Sequence, residues 1–247
     1  MLILYVFLAL IAGSIGSIAL GSLLFLLDNN KLEKVSTYLT YLAGGTLLGA
    51  AFLGMIPRAA EMMHIPLLLK LILAGLLFFF ILEKFILWRT CRNKECERHV
   101  HAVAPMILFG DAFHNAIDGI VIAASFLTST ELGLFVTLSV VMHEIPQELG
   151  DFGILIKSGL SRKKALLYNM LSGSMAIVCG IAAFYFLDSV KSLIPYALAF
   201  SASSFLYIAL ADLIPEMHKK TKVKDSIMQF LLIVSGILII YLVKQMN

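Results

Sequence analysis

Apolar positions in this chain come in long blocks rather than in alternation, and each block ends at a short polar or basic stretch. Eight blocks are long enough to cross about 30 Å of hydrocarbon at roughly 20 residues each: near 2–27, 37–57, 66–88, 102–127, 132–157, 163–187, 194–217 and 225–245. Their length, their Leu, Ile, Ala and Gly content and the lack of strict alternation predict helices rather than barrel strands, because a helix in lipid satisfies its own backbone groups. Almost nothing is left over for a soluble domain. The expectation is an all-α integral membrane protein of eight transmembrane helices, a single polytopic domain over 1–247 with one short loop at 89–101.

Composition agrees: 60% of residues are hydrophobic and 14% charged, against roughly 45–50% and about 25% in soluble domains. The first block begins MLILYVFLAL with no basic residue ahead of it. It is longer than the roughly 7–15 residues of a signal-peptide core, which predicts a retained helix. Fourteen of the 19 Lys and Arg residues fall between helices one and two, three and four, five and six, and seven and eight. The positive-inside rule then puts those loops in the cytoplasm and both termini outside it. Topology accounts for the basic runs, and no nucleic-acid partner is implied. Cys91 and Cys96 lie in a predicted cytoplasmic loop, where thiols stay reduced, so with Cys179 they predict no disulfide framework.

Glycines in helices one, two and six are spaced for close helix approach, and Pro57, Pro146 and Pro215 sit where they would kink or break a helix. The chemistry lies elsewhere. A carboxylate at the bilayer centre costs about 2.5–3.5 kcal/mol on insertion scales, so intramembrane ionisable residues are functional candidates by default. Helix four reads FGDAFHNAIDGIVIA, with Asp111, His114, Asn115 and Asp118 within an arc of about 100°. Helix five reads VVMHEIPQELGDFGILI, with His143, Glu144, Gln147, Glu148 and Asp151 within about 140°. The link from Thr128 to Glu131 is too short for anything but antiparallel neighbours, so each stripe is most simply buried against the other. Imidazole with carboxylate suits borderline divalent ions such as Zn²⁺, Fe²⁺ and Mn²⁺, and the lack of thiolate argues against a closed structural zinc site. A satisfied polar core or a proton relay is the competing reading of the same residues.

HNAIDG in helix four and HEIPQELGD in helix five resemble the paired signatures of the ZIP (Zrt/Irt-like) metal transporters, in the branch whose fifth-helix motif reads HExPHExGD. YIALADLIPEM in helix seven resembles that family's penultimate helix. The resemblance implies a ZIP-like bundle and uptake of a divalent ion, zinc first with Fe²⁺, Mn²⁺ or Cd²⁺ as alternatives, through a plasma or bacterial inner membrane. It also implies alternating access by an elevator motion of helices one, four, five and six against two, three, seven and eight, in a homodimer. Carried over by motif position, His114, Asn115 and Asp118 would supply ligands from helix four, and His143, Glu144 and Gln147 from helix five, with Glu148 as a compensating ligand.

Two departures from the family pattern stand out. Gln147 occupies a position where the family usually offers His or Glu. Ala176 stands where members with two adjacent metals draw a carboxylate from helix six, which favours one principal ion. Accessory candidates are Asp111 and Asp151 beside the site, Cys91, Cys96, His99 and His101 in the cytoplasmic loop, His64 on the outer side, and Asp212 and Glu216 in helix seven. A solvated loop and ordinary interfacial snorkelling explain the loop and helix-seven groups about as well. The rival from another class is an intramembrane zinc-dependent hydrolase, since HEIPQ opens like an HExxH box. Its fifth residue is Gln147 rather than His, and Pro146 disturbs the helix that box requires.

Overall fold

Helices account for the described chain, residues 1–90 and 100–245 of a computed structural model, and no strand occurs among those residues. For residues 29, 86–90, 100–104, 106, 157, 212 and 216 only the backbone is described. The loop candidates Cys91, Cys96 and His99 lie outside the described residues, as do the side chains of His101, Asp212 and Glu216.

Eight helical rods follow one another. Helix α1 spans Leu2–Leu24. Helix α2 runs from Asn29–Gly49 through Ala50–Met55 into Ile56–Met62. Then come α3 (Ile65–Thr90), α4 (Val100–Thr128), α5 (Thr130–Lys157) and α6 (Arg162–Ser189). Helix α7 runs from Ile194–Tyr207 through Ile208–Leu213 into Ile214–His218, and α8 is Val223–Gln245. Seven rods are long and apolar enough to cross a membrane by length and composition. The one that falls short is α5, and the reason is its own polar stripe, which pulls the mean hydropathy of a 28-residue helix down. The chain is a multi-pass integral membrane protein.

The turns between rods are short and capped. Ser129 alone separates α4 from α5, and its hydroxyl accepts from the Leu132 amide at 3.1 Å. Asp28 caps α2 by accepting from the Lys31 amide at 3.0 Å, and Ser161 caps α6 by accepting from Lys164. Each cap satisfies one of the amide donors that a helix start leaves without an internal partner.

Three helices contain a π-helical segment: Ala12–Gly16, Ala50–Met55 and Ile208–Leu213. The last two end just before Pro57 and Pro215. A proline lacks the amide that would bind the carbonyl four residues back, so widening the turn ahead of it relieves the clash and leaves that carbonyl free. The freed group behind Pro57 is the Leu53 carbonyl, which accepts from Lys244 Nζ at 2.8 Å near the end of α8.

Packing divides the rods into two groups. Helix α4 lies along α6 and antiparallel to α5, and α1 packs on α5 and α6; α2 pairs with α8, and α3 with α7. Two contacts show how close the backbones come. A Cβ on Gly119 of α4 would overlap the Ala176 carbonyl of α6, and one on Gly45 of α2 would overlap the Ile233 carbonyl of α8. In lipid, where apolar burial gives little drive, this backbone proximity and its van der Waals contact hold helices together. Helix α5 also packs on α2, and the two groups meet there and where α4 touches α7.

Candidate metal site

His114 sits midway along α4 and His143 midway along α5. Because Ser129 turns the chain back so tightly, the two helices run antiparallel in register, and both histidines arrive at one depth. Their Nε2 atoms are 3.2 Å apart. Asp118, one turn along α4, brings Oδ2 to 3.1 Å from His143 Nε2 and 3.8 Å from His114 Nε2. Glu144, next to His143, brings Oε1 to 3.4 Å from His114 Nε2 and 3.7 Å from His143 Nε2.

These separations have a recognisable size. Ligands at about 2.0–2.1 Å from a tetrahedral zinc ion stand about 3.3–3.4 Å from one another. The five donor–donor distances, from 3.1 to 3.8 Å, bracket that edge. Two imidazoles and two carboxylates are therefore spaced as a group that could hold one borderline dication.

The protonation pattern suits the same task. His143 Nδ1 lies 2.9 Å from the Ser139 carbonyl, which can only accept, so Nδ1 carries the proton and Nε2 turns a lone pair to the site. The Ser139 hydroxyl in turn donates to the Phe135 and Thr46 carbonyls, which ties this stretch of α5 to α2. Both oxygens of Asp118 and both of Glu144 are buried without a hydrogen-bond donor among the described residues. A buried carboxylate without donor or cation is unstable, so this donor set calls for a positive charge.

A second group lies one turn toward the end of the bundle that carries the basic loops. Asp111, Glu144 and Glu148 offer carboxylate oxygens that all lie within 4.8 Å of one another, with Glu144 common to both groups. Asn115 stands between them: its amide donates to Asp111 Oδ1 at 2.9 Å, while its own Oδ1 is buried without a partner. Gln147 is half-buried and approaches Asp111. Asp151 is half-buried and His64 exposed, and neither joins a group of donors among the described residues.

The hydrolase geometry has no support here. One turn on from His143 stands Gln147, and the second imidazole comes from α4.

Helix α6 supplied the residues that sequence reasoning did not single out. Ser172 donates to Asp111 Oδ2 at 2.5 Å, and Asn169 donates to Glu148 Oε2 at 2.7 Å. A signal existed, since Asn169 is an amide inside an apolar helix with Ser172 on the same face three residues on. Ala176 of α6 has its carbonyl packed against Gly119 of α4.

The site is closed at one end. On the Ser129 side, Val121, Ile122, Ala124 and Phe126 of α4, Leu132, Phe135 and Val136 of α5, and Phe205 of α7 are buried together. The Phe205 ring meets the His143 ring edge-on, with centroids 5.8 Å apart. Toward the basic-loop end the packing opens. The His114 side chain is 17% exposed where Asp118 is 1%, and among the described residues no atom of a neighbouring element lies within 4 Å of a Cβ built on Gly150 or Gly153.

Comparison with known proteins bears on the whole of this region. A family model described as ZIP zinc transporter matches residues 89–244. Zinc transporter foi of Drosophila melanogaster is 42% identical over 137 residues, 56% of this chain and 19% of that protein. Zinc transporter ZIP10 of Danio rerio is 37% identical over 140 residues, 53% of this chain and 16% of that protein. Zinc transporter zipt-7.2 of Caenorhabditis elegans is 35% identical over 153 residues, 60% of this chain and 33% of that protein. The chain thus spans between about a sixth and a third of the length of these curated relatives. With the match covering both ligand-bearing helices and the three that follow, the chain belongs to the ZIP zinc transporter family.

Proposed function

We propose that this chain carries divalent transition-metal ions, Zn²⁺ first, across the membrane into the cytoplasm through the site that His114, Asp118, His143 and Glu144 outline. The observation that carries this reading is the cluster itself: four donors from two antiparallel helices, three of them buried and His114 half-buried, spaced as tetrahedral ligands, with the carboxylates lacking any other partner among the described residues. Asn115 and Gln147 flank the ion, and Glu148 receives it on the inner side. Fe²⁺, Mn²⁺ and Cd²⁺ are competing substrates, because imidazole and carboxylate do not sort borderline dications strongly.

The path follows from the packing. The seal around Phe126, Phe135 and Phe205 and the more open end beside the basic loops support the reading of a conformation facing the cytoplasm. Transport then requires the outer seal to open as the inner end closes. The division of the rods favours α1, α4, α5 and α6 as the carrying unit and α2, α3, α7 and α8 as the frame; a second copy completing a dimer is what the family resemblance alone implies. Both termini lie outside the cytoplasm, as the basic loops require, and the host membrane is the plasma or bacterial inner membrane.

Uptake by vesicles reconstituted with the purified chain tests this, with Zn²⁺ offered alone and against Fe²⁺, Mn²⁺ and Cd²⁺. Saturable Zn²⁺ entry, lost in His114→Ala, is the expected result. Vesicles that accumulate no more metal than empty ones would refute it.

A further inference from the structure

We infer that Arg58 of α2 and Glu131 of α5 form a latch that holds the Ser129 end of the bundle shut, and that Glu61 competes for the same guanidinium and so sets how firmly it closes. This rests on the transport reading, in which α5 moves and α2 stays, and adds to it a control on the outer seam. Arg58 Nη1 lies 3.1 Å from Glu61 Oε2 on its own helix, while Nη2 lies 4.0 Å from Glu131 Oε2 across the seam. Glu131 is the less exposed carboxylate, 20% against 62% for Glu61, so its charge depends more on the guanidinium.

The pair sits over a steric fit. Gly54 precedes Arg58 by one turn on α2, and Phe135 follows Glu131 by one turn on α5. The Phe135 ring fills the notch at Gly54, where a Cβ would overlap it. The two helices therefore meet along one line, as a ring in a notch with an ion pair one turn nearer the surface. The notch lies within the π-helical Ala50–Met55 segment ahead of Pro57, and Lys244 of α8 braces that segment by donating to the Leu53 carbonyl.

Three observations make this a latch rather than a settled surface pair. First, it crosses from one group of rods to the other, whereas Arg58–Glu61 and Lys220–Glu33 each stay within the frame. Second, a cavity of about 170 Å³ opens in the seam, lined by Arg58, Glu61, Glu131 and Lys244 with Leu132 and Phe135 of the seal beneath. At about 30 Å³ per water molecule it has room for several, so the pair parts into water and not into lipid. Third, Arg58 has a partner on either side of the movement. When Glu131 leaves with α5, Glu61 stays with Arg58 on α2, and the guanidinium is never left bare. Part-exposed pairs of this kind are weak, which suits a contact broken and remade in every cycle.

The test is the rate at which a membrane-impermeant maleimide, added outside intact cells, labels a cysteine behind the seal. Val121 is fully buried and stands three residues beyond Asp118 toward the Ser129 end. The reporter is Val121→Cys in the full chain with Cys91, Cys96 and Cys179 replaced by serine. Glu131→Gln and Arg58→Gln are each expected to speed labelling about threefold, the scale of a weak ion pair. The double variant is expected to be no faster than either single one, since both remove the same contact. Glu61→Gln is expected to slow labelling, because Arg58 then has Glu131 alone. Labelling that none of these changes alters, an increase of about ninefold in the double variant, or faster labelling in Glu61→Gln would overturn the latch. Zn²⁺ uptake by reconstituted vesicles separates this from the transport reading. Saturable uptake with additive labelling would discard the latch alone, and coupled labelling without any uptake would discard transport alone.

Discussion

His114 and His143 meet nitrogen to nitrogen at 3.2 Å although 29 residues separate them in the chain. Two lone pairs cannot face each other at that distance unless a proton or a cation lies between them. His143 has its proton on the other nitrogen, against the Ser139 carbonyl. His143 Nε2 is therefore free to accept a proton from His114 or to share a cation with it, and the carboxylates of Asp118 and Glu144 line the same position.

Removing a ligand is the direct check. His114→Ala, His143→Ala and Asp118→Ala are each expected to cut Zn²⁺ accumulation by at least about tenfold, the effect of losing about 1.4 kcal/mol of ion binding. Membrane abundance should be unchanged, because each variant removes part of a costly buried cluster. Radiotracer uptake normalised to surface-labelled protein measures both quantities, and near-normal uptake in all three would dismiss the site.

Acid should oppose transport. A protonated imidazole has no lone pair for metal, and protons compete likewise for carboxylates, so binding zinc releases protons. Lowering pH from about 7.5 to about 5 crosses the ordinary imidazole range near 6.5. Initial uptake rates at fixed free Zn²⁺ are expected to fall across that interval, and a flat profile would count against histidine ligands.

Gln147 offers a gain-of-binding test. It lies half-buried beside the donors as a neutral amide. Gln147→His adds an imidazole, and zinc affinity measured by competition with a chelating dye is expected to rise about tenfold, worth about 1.4 kcal/mol. Turnover should fall, since a tighter site releases more slowly. Unchanged affinity would place residue 147 outside the coordination sphere.

Backbone contact can be separated from ligand chemistry with two glycines. Gly119→Ala drives a Cβ into the Ala176 carbonyl and Gly45→Ala into the Ile233 carbonyl, and backbone cannot rotate aside. Each is expected to cost about 1–3 kcal/mol, read as a lower melting temperature in detergent. Only Gly119 adjoins a ligand, so only Gly119→Ala should lose the stabilisation that bound Zn²⁺ confers. Equal protection of both variants by zinc would detach α4–α6 packing from the site.

The eight spans were readable from hydropathy because lipid imposes one rule on every residue of a span. The exception is informative: α5 was read as an apolar block like the others, and its polar stripe keeps it below the apolarity of the other seven. The stripes on α4 and α5 followed from helical period, and their convergence was the simplest way to bury both once a short link made the helices antiparallel neighbours. Helix α6 was less legible. A lone Asn169 and a Ser172 look like ordinary small polar residues until Glu148 and Asp111 are seen against them.

The sequence by itself determined that this is a membrane bundle, where its helical rods lie, and which two helices carry the polar stripes, since those depend on hydrophobicity and on the helical period. Tertiary structure decided that Glu144 serves two groups of donors and that α6 closes the inner one. It also decided that aromatic packing seals one end while the other stands open. These depend on contacts between residues far apart in the chain, which are set by how closely backbones approach at glycines such as Gly119 and not by local pattern.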